Sequence, residues 1–445
     1  MTSEQEHIEL PQKPIDRVVG PIQRFLHVEA AGGIVLLACT AAALVLANLP
    51  ASQNFLAFWK TEVGFQLGSF QMVHSLRHWI NDGLMAVFFF VIGLEVKREI
   101  VLGELRDVRR AALPLAAAIG GMIVPVGLYL AFQFGQPAQD GWGIPMATDI
   151  AFVVGCMAVL GSRVPHGFRV MILSLAIADD IGAIMIIAIG YTESINLMAL
   201  LLGIGGLVLV SGLWRVGVRS LLVHAVAGVL TWFAFHESGV HATIAGVLIG
   251  LLTPAKAYLS EGMFVRALEW AHAVFHGKGW ANVADRAAKV RRMKHLARET
   301  ISPVEYLEGT LHPWVGFVVM PLFALANAGV PIRVADFVDP LAIAIAVGLV
   351  VGKPLGIVGG SWIAVRAGIA SLPQGVNWTM ILGGGMLAGI GFTMALFIAG
   401  LALPDSLLAT AKVGVLGASL VAAVVGMVLL SVTLPKADRP ANEND

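Results

Sequence analysis

Three aspartates and one lysine stand where charge is costly: Asp149, Asp179, Asp180 and Lys353, each near the middle of a long apolar run. An ionisable side chain at the centre of a bilayer is disfavoured by ~2.5–3.5 kcal/mol on insertion scales, and such residues mark ion or proton pathways. An ion pair stapling two helices accounts for Lys353 and one carboxylate. It does not account for three, so a bound cation or protons must balance the rest. Asp179 and Asp180 are neighbours, and neighbours on a helix point about 100° apart. One is therefore expected to face a cavity with Asp149 while the other reaches towards Lys353. A hard cation such as Na⁺ takes carboxylate, hydroxyl and carbonyl oxygens, and Thr148 sets a hydroxyl beside Asp149. The spacing holds no His/Cys cluster for a transition metal. Cys39 and Cys156 lie in apolar runs and suggest packing, with no disulfide framework.

The runs that carry these charges are interrupted. One reads Gly143-Ile-Pro-Met-Ala-Thr-Asp149 and another Ala388-Gly-Ile-Gly-Phe-Thr393, each a polar or glycine break midway through a span. Unwound backbone survives at membrane depth only where it lines a cavity or is buried in protein. Gly/Pro-interrupted spans in two halves of a chain point to a transporter's binding site. Gly389, Gly391 and Thr393 thereby join the candidate site as a helix break. Gly389 and Gly391 taken alone could equally serve close helix packing.

The whole chain fits a membrane. Hydrophobic residues make up 57% and charged residues 13% of 445, with a mean hydropathy of +0.81. A soluble domain carries about 25% charged residues. About twelve apolar runs are long enough to cross as helices, at 32–49, 82–103, 111–133, 142–160, 168–190, 196–213, 220–235, 240–253, 310–330, 341–363, 377–402 and 407–434. The expected fold is an all-α polytopic membrane protein with two broken helices and a small outer β-hairpin. Its parts are a cytoplasmic N-terminus (1–31), spans one to eight (32–253), a cytoplasmic loop (254–307), spans nine to twelve (308–434) and a cytoplasmic tail (435–445). Orientation follows from basic residues. With both termini inside, the inner segments collect Lys97, Arg98, Arg106, Arg109, Arg110, Arg163, Arg169, Arg215, Arg219 and Arg366, and the outer loops keep Lys60, Arg77 and Arg333. No cleavable signal peptide is read, because the first thirty residues are polar and contain proline. Membrane lipid is the expected surrounding, and no nucleic-acid partner is expected.

Two segments outside the spans have patterns of their own. In 61–72, Val63, Phe65 and Leu67 alternate with polar or small residues, and Gly68-Ser69 offers a two-residue turn. An isolated hairpin is marginal in water, so this one should pack on something. In 254–307, Phe264, Leu268, Ala271 and Phe275 recur at helical spacing, as do Ala287, Val290, Met293 and Leu296. Ser302-Pro303-Val-Glu305 marks a helix start.

From about residue 28 to 434, the 254–307 loop excepted, the sequence resembles the NhaA family of bacterial Na⁺/H⁺ antiporters. The motifs that carry the resemblance are Trp79-Ile-Asn-Asp-Gly-Leu-Met-Ala-Val-Phe-Phe-Phe, Gly93-Leu-Glu-Val-Lys-Arg-Glu99, Ala147-Thr-Asp-Ile-Ala-Phe152 and Leu175-Ala-Ile-Ala-Asp-Asp-Ile-Gly-Ala-Ile184. Ser238-Gly-Val-His-Ala-Thr243, Gly352-Lys-Pro-Leu-Gly356 and Gly389-Ile-Gly-Phe-Thr-Met394 follow in order. The resemblance implies inverted-topology repeats in spans three to five and ten to twelve, and a homodimer joined by the outer hairpin. It implies that Asp179 and Asp180 carry the exchanged ions, Asp180 as the main Na⁺ ligand. Asp149 and Lys353 would then offset charge at the helix breaks, Lys353 pairing with Asp179. Glu95, Arg98, Glu99, Glu308 and His312 fall in the family's pH-sensing region at the cytoplasmic funnel, with His241 also near the pH response. Two departures stand out. Leu307-Glu-Gly-Thr-Leu-His-Pro-Trp314 has Gly309 where the family pattern has histidine, and the 254–307 loop is long.

The implied activity is electrogenic, pH-regulated exchange of Na⁺ or Li⁺ for external protons across the inner membrane, by a non-enzyme without cofactors. One set of carboxylates binding either ion gives exchange without an ATP site, and no GxxxxGK[ST] motif occurs. A cation channel could use an acidic ring but needs no buried lysine beside it. An intramembrane aspartyl protease would carry its aspartates in Tyr-Asp and Gly-x-Gly-Asp motifs, and neither occurs.

Overall fold

In the computed structural model, the residues described are 29–434 except 51, 68–69, 193–194, 259–261, 263–264, 267–268, 270–271 and 273–282. The first half comprises α1 (Glu29–Asn48), α2 (Ser52–Phe58), β1 (Glu62–Leu67), β2 (Phe70–Ser75), α3 (Leu76–Trp79), α4 (Met85–Val101), α5 (Val108–Gln133), α6 (Ile150–Leu160) and α7 (His166–Gly190). Then come α8 (Leu197–Val216), α9 (Leu221–His236), α10 (Thr243–Leu252), α11 (Val283–Glu299), α12 (Pro303–Trp314) and α13 (Met320–Asn327). The last five helices are α14 (Pro340–Val347), α15 (Lys353–Arg366), α16 (Trp378–Ala388), α17 (Phe392–Ala402) and α18 (Asp405–Thr433).

Among the described residues, eight helical stretches are long and apolar enough to cross a membrane, or nine when the bent pair α16 and α17 counts as one. The other three expected spans, at 82–103, 220–235 and 240–253, are helical but differ in kind. The first carries Glu95, Lys97, Arg98 and Glu99 in its last turns, and α9 and α10 are short apolar helices. Exposure places the apolar surface outside. Leu202, Val208, Leu222, Val229 and Ile189 are each more than 60% exposed, and only 17% of the α8 window is buried. In water such a surface would aggregate; against lipid it is the stable arrangement. The chain is a multi-pass membrane protein.

The interior is set by close helix crossings. α5 and α15 meet at glycines: a Cβ on Gly120 would lie 2.1 Å from the Gly356 carbonyl oxygen, and one on Gly360 2.2 Å from that of Ala116. Small residues that let backbones touch are how membrane helices associate, and this contact carries Lys353 inward. A π-helical stretch, Gly348–Gly352, immediately precedes Lys353.

The expected hairpin forms, and it runs further than 61–72. β1 and β2 pair antiparallel with Glu62 opposite Ser75 and Leu67 opposite Phe70, leaving a two-residue connection at 68–69. The extra pairs arise because the backbone beyond Met72 stays extended until Ser75, whose side chain accepts from His78 N and starts α3. Trp79 Nε1 donates to the Val63 carbonyl at 2.8 Å and ties the hairpin to the bundle. The expected helix around Ala287, Val290, Met293 and Leu296 is α11. The capping box at Ser302 and Glu305 is present, with Pro303 in the first turn. The pattern at Phe264, Leu268, Ala271 and Phe275, most of the N-terminal segment and the tail lie outside the described residues.

Candidate functional site

Both interrupted spans are broken at the expected residues, and the breaks interlock. The 3₁₀ stretch Gln139–Met146 ends in extended backbone, and α6 restarts at Ile150 with Asp149 as its N-cap. α16 and α17 are separated by residues 389–391 and bent by 48°. Asp149 N donates to the Ile390 carbonyl at 2.7 Å, and Thr148 Oγ1 donates to the Ala388 carbonyl at 2.8 Å. The orphaned backbone groups of one break are thus satisfied by the other, which is how unwound chain survives here. Gly389 serves this approach directly. Its φ is −69°, ordinary for any residue, but a Cβ would lie 2.5 Å from the Leu349 carbonyl oxygen. Close packing and helix break are the same feature at this glycine.

Asp149 is fully occupied. One carboxylate oxygen accepts from Phe152 N at 3.3 Å. The other accepts from Thr393 N at 3.0 Å and from the Thr393 hydroxyl. One carboxylate therefore sits at the N-termini of two helices, α6 and α17, where the backbone dipoles present positive charge. The expected neighbour is near, since the Asp149 charge acts on Asp180, but both Asp149 oxygens are engaged by backbone donors. Its oxygens are claimed by helix ends because the two breaks cross at this point. Thr148, expected to offer a hydroxyl to a cation, spends its proton on Ala388 and also lies against the Asp179 carboxylate.

Lys353 is completely buried. Its ammonium donates to Asp179 Oδ1 at 2.9 Å and Oδ2 at 2.7 Å, and to the Met146 carbonyl. The pairing of Asp179 with Lys353 agrees with what the family resemblance implies. Met146 ends the Gln139–Met146 stretch, so the ammonium also meets the negative end of a half-helix. Anion and cation are thus matched to opposite helix ends within one crossing.

Asp180 is the remainder. It is 3% exposed on α7, and it accepts no hydrogen bond and makes no ion pair with any described residue. The charges acting on it are those of Asp179, Glu95, Asp149 and Lys353, three negative and one positive. A buried ionised carboxylate without a donor is strongly unfavourable.

The residues tied by resemblance to pH sensing come together in part. Arg98 pairs with Glu308 and lies 3.5 Å from Glu99, while His312 Nδ1 stands 3.3 Å from Glu95. This cluster joins the last turns of α4 to α12. His241 does not belong to it. Its Nδ1 is 2.6 Å from Thr243 Oγ1, and its Nε2 is 3.9 Å from Asp82, which precedes α4 at the other end. At 1.5 Å per residue, α4 separates the two groups by about 20 Å.

Gly309 faces open space, and no atom lies within 4 Å of where its Cβ would be. A histidine fits there without disturbing α12, but the ion pairs of Glu308 and His312 are made to α4, away from it. Gly309→His is therefore expected to leave the pH–activity curve close to that of wild type, because the new side chain would point into open space while the cluster's ion pairs are made to α4. A shift approaching one pH unit in vesicle exchange assays would show that position 309 does act on the cluster.

Sequence reading missed two constellations. Lys412, 3% exposed in α18, is a further buried cation and lies near Arg77 and Asp405. The statement that no histidine cluster exists is corrected by the fold, which brings His74, His78 and His236 together beside Asp82. The spacings of four from His74 to His78 and from His78 to Asp82 were visible in the sequence, and the approach of His236 was not.

Comparison with known proteins places the chain in a family. The family described as Na⁺/H⁺ antiporter 1 matches residues 23–430. The chain is 56% identical over 437 residues to "Na(+)/H(+) antiporter NhaA" of Rhodopirellula baltica, covering 97% of this chain and 99% of that one. It is 51% identical over 424 residues to the protein of that name from Rhizobium meliloti, covering 95% and 97%. It is 50% identical over 430 residues to "Na(+)/H(+) antiporter NhaA 2" of Acidiphilium cryptum, covering 97% and 96%. With interlocked helix breaks, a buried lysine–aspartate pair and one uncompensated aspartate inside a match of this length, the chain belongs to the NhaA family of Na⁺/H⁺ antiporters.

Proposed function

We propose that this protein is a secondary active, electrogenic Na⁺(Li⁺)/H⁺ antiporter of the bacterial inner membrane, in which Na⁺ and protons compete for Asp180 and Asp179. The observation that carries the reading is Asp180: buried, beside another carboxylate, and without a donor among the described residues. Na⁺ entering from the cytoplasm displaces protons from this site. The loaded site then turns outward, and external protons displace Na⁺. Because the site holds one ion type at a time, leak without exchange is suppressed. Two exchangeable carboxylates serving one monovalent cation allow more protons than Na⁺ to move per cycle, so membrane potential drives Na⁺ out.

Asp149 and Lys353 hold the breaks in register, and Thr148 and Thr393 fix the two carboxylates they touch. Alternating access is a relative movement of the two crossed breaks, which inverted repeats of twelve spans would supply. Both termini lie in the cytoplasm and the hairpin outside. The cluster of Glu95, Arg98, Glu99, Glu308 and His312 regulates entry by pH, since its acid–base pairs exchange protons with the cytoplasm. The direct test is Na⁺-induced dequenching of a pH-sensitive dye in everted vesicles. Saturable Na⁺-dependent proton release supports the proposal; single-channel currents in its place would exclude it.

We further propose that the hairpin joins two protomers. Its β1–β2 sheet has two strands only, and Val63 is exposed on it. Shortening it to Glu62–Val63 joined to His74–Ser75 by Asn-Gly keeps a paired register. The shortened protein is expected to run as a monomer in detergent and still exchange ions. Dimers persisting at nanomolar concentration in light scattering or fluorescence cross-correlation would count against the hairpin as the interface.

A further inference from the structure

We propose that His74, His78 and His236 form a binding site for a borderline divalent transition metal, with Zn²⁺ as the probe, on the hairpin side of the protein and separate from the Na⁺ site. One ring nitrogen from each of the three lies within 4.8 Å of those of the other two. The residues come from three elements: the end of β2, the short helix α3 and the last residue of α9. Neutral imidazole suits Zn²⁺, Cu²⁺ and Ni²⁺. Three nitrogens about 2.0–2.1 Å from Zn²⁺ in tetrahedral array stand roughly 3.4 Å apart. Small ring rotations from the present separations reach that spacing.

The surroundings favour a metal over a packing cluster. The His74 and His78 rings are stacked with centroids 4.3 Å apart, and both lie 5.6 Å from the His236 ring. His78 Nε2 is buried and has no hydrogen-bond partner, although its ring as a whole is 38% exposed. His236 Nδ1 lies 3.3 Å from Asp82 Oδ2, leaving Nε2 as the ligating atom. A carboxylate behind a ligating histidine fixes its tautomer and raises its basicity. The same oxygen is 3.6 Å from His78 Nε2, close enough to offset part of the metal's charge. Ser75 caps α3 at the His78 amide and Trp232 stacks on His236 with 20° between planes, so two of the rings are held before any ion arrives. Two protein positions stay fixed by helix ends and the third rides on the hairpin, so metal binding would tie the hairpin to α9.

The test uses the full chain, purified in detergent with its affinity tag removed and stripped with EDTA. Isothermal titration with Zn²⁺ is expected to show one saturable site per chain, and Zn²⁺ is expected to raise the melting temperature where Mg²⁺ does not. His78→Gln and His236→Gln should each lower affinity at least tenfold while the metal-free protein melts as wild type does. X-ray absorption on the loaded wild type, which does not depend on any variant folding, should show imidazole scattering from at least two ligands. Absence of saturable binding, binding that survives His74→Gln/His78→Gln/His236→Gln, or a spectrum without imidazole would each overturn the proposal.

Discussion

Asp180→Asn is expected to abolish Na⁺-dependent proton flux in everted vesicles while the protein inserts and purifies as wild type does. Asparagine keeps the volume of the side chain, so packing around α7 is unchanged. It removes the charge that Na⁺ needs and the oxygen that a proton would occupy. A cation in contact with a carboxylate gains several kcal/mol even at an effective dielectric of about 20, so Na⁺ affinity should fall by ~100-fold or more. The structure sharpens the expectation. Asp149 is held by Thr393 and Phe152, and Asp179 by Lys353, so neither can take over Asp180's role without giving up a partner. Since Asp180 holds no such partner, its neutralisation should not lower stability. A variant that unfolds would therefore contradict the geometry, and one that exchanges near the wild-type rate would contradict the site assignment.

The division between what the sequence disclosed and what it hid follows from distance along the chain. Adjacent charges on one helix, Asp179 and Asp180, must diverge by helical geometry, and that alone split one paired carboxylate from one free one. The two breaks were visible as Gly/Pro interruptions. Their interlocking was not, because Asp149 and Thr393 are 244 residues apart, and no local pattern says which break a capping carboxylate will serve. The histidine cluster was hidden for the same reason. His74 and His78 sit where a strand turns into a helix, and His236 ends α9, so only the packed fold places their nitrogens together. His241 looked like a member of the pH-sensing group because its motif is shared with the family. Its actual neighbours, Asp82 and Thr243, lie at the opposite end of α4.

Lys353→Ala is expected to destabilise the protein by about 3–5 kcal/mol, the cost of leaving one partner of a buried ion pair uncompensated. The lysine is fully buried and donates to both oxygens of Asp179, so its removal leaves a buried carboxylate with Thr148 against it and no counter-charge paired to it. A second loss follows at the Met146 carbonyl, where the ammonium meets the end of a half-helix; a charge so placed is worth about 0.3–2 kcal/mol. The two contributions separate in a double variant. Lys353→Ala/Asp179→Asn removes the orphaned charge but not the loss at Met146, so it should recover most of the stability and stop short of wild type. Melting in detergent, followed by tryptophan fluorescence, gives the ordering: wild type highest, the double variant between, Lys353→Ala lowest. If Lys353→Ala melts with wild type, the pair contributes nothing to the fold. If the double variant is no better than the single, the lysine acts through the helix end alone, and Asp179 is not what it was holding.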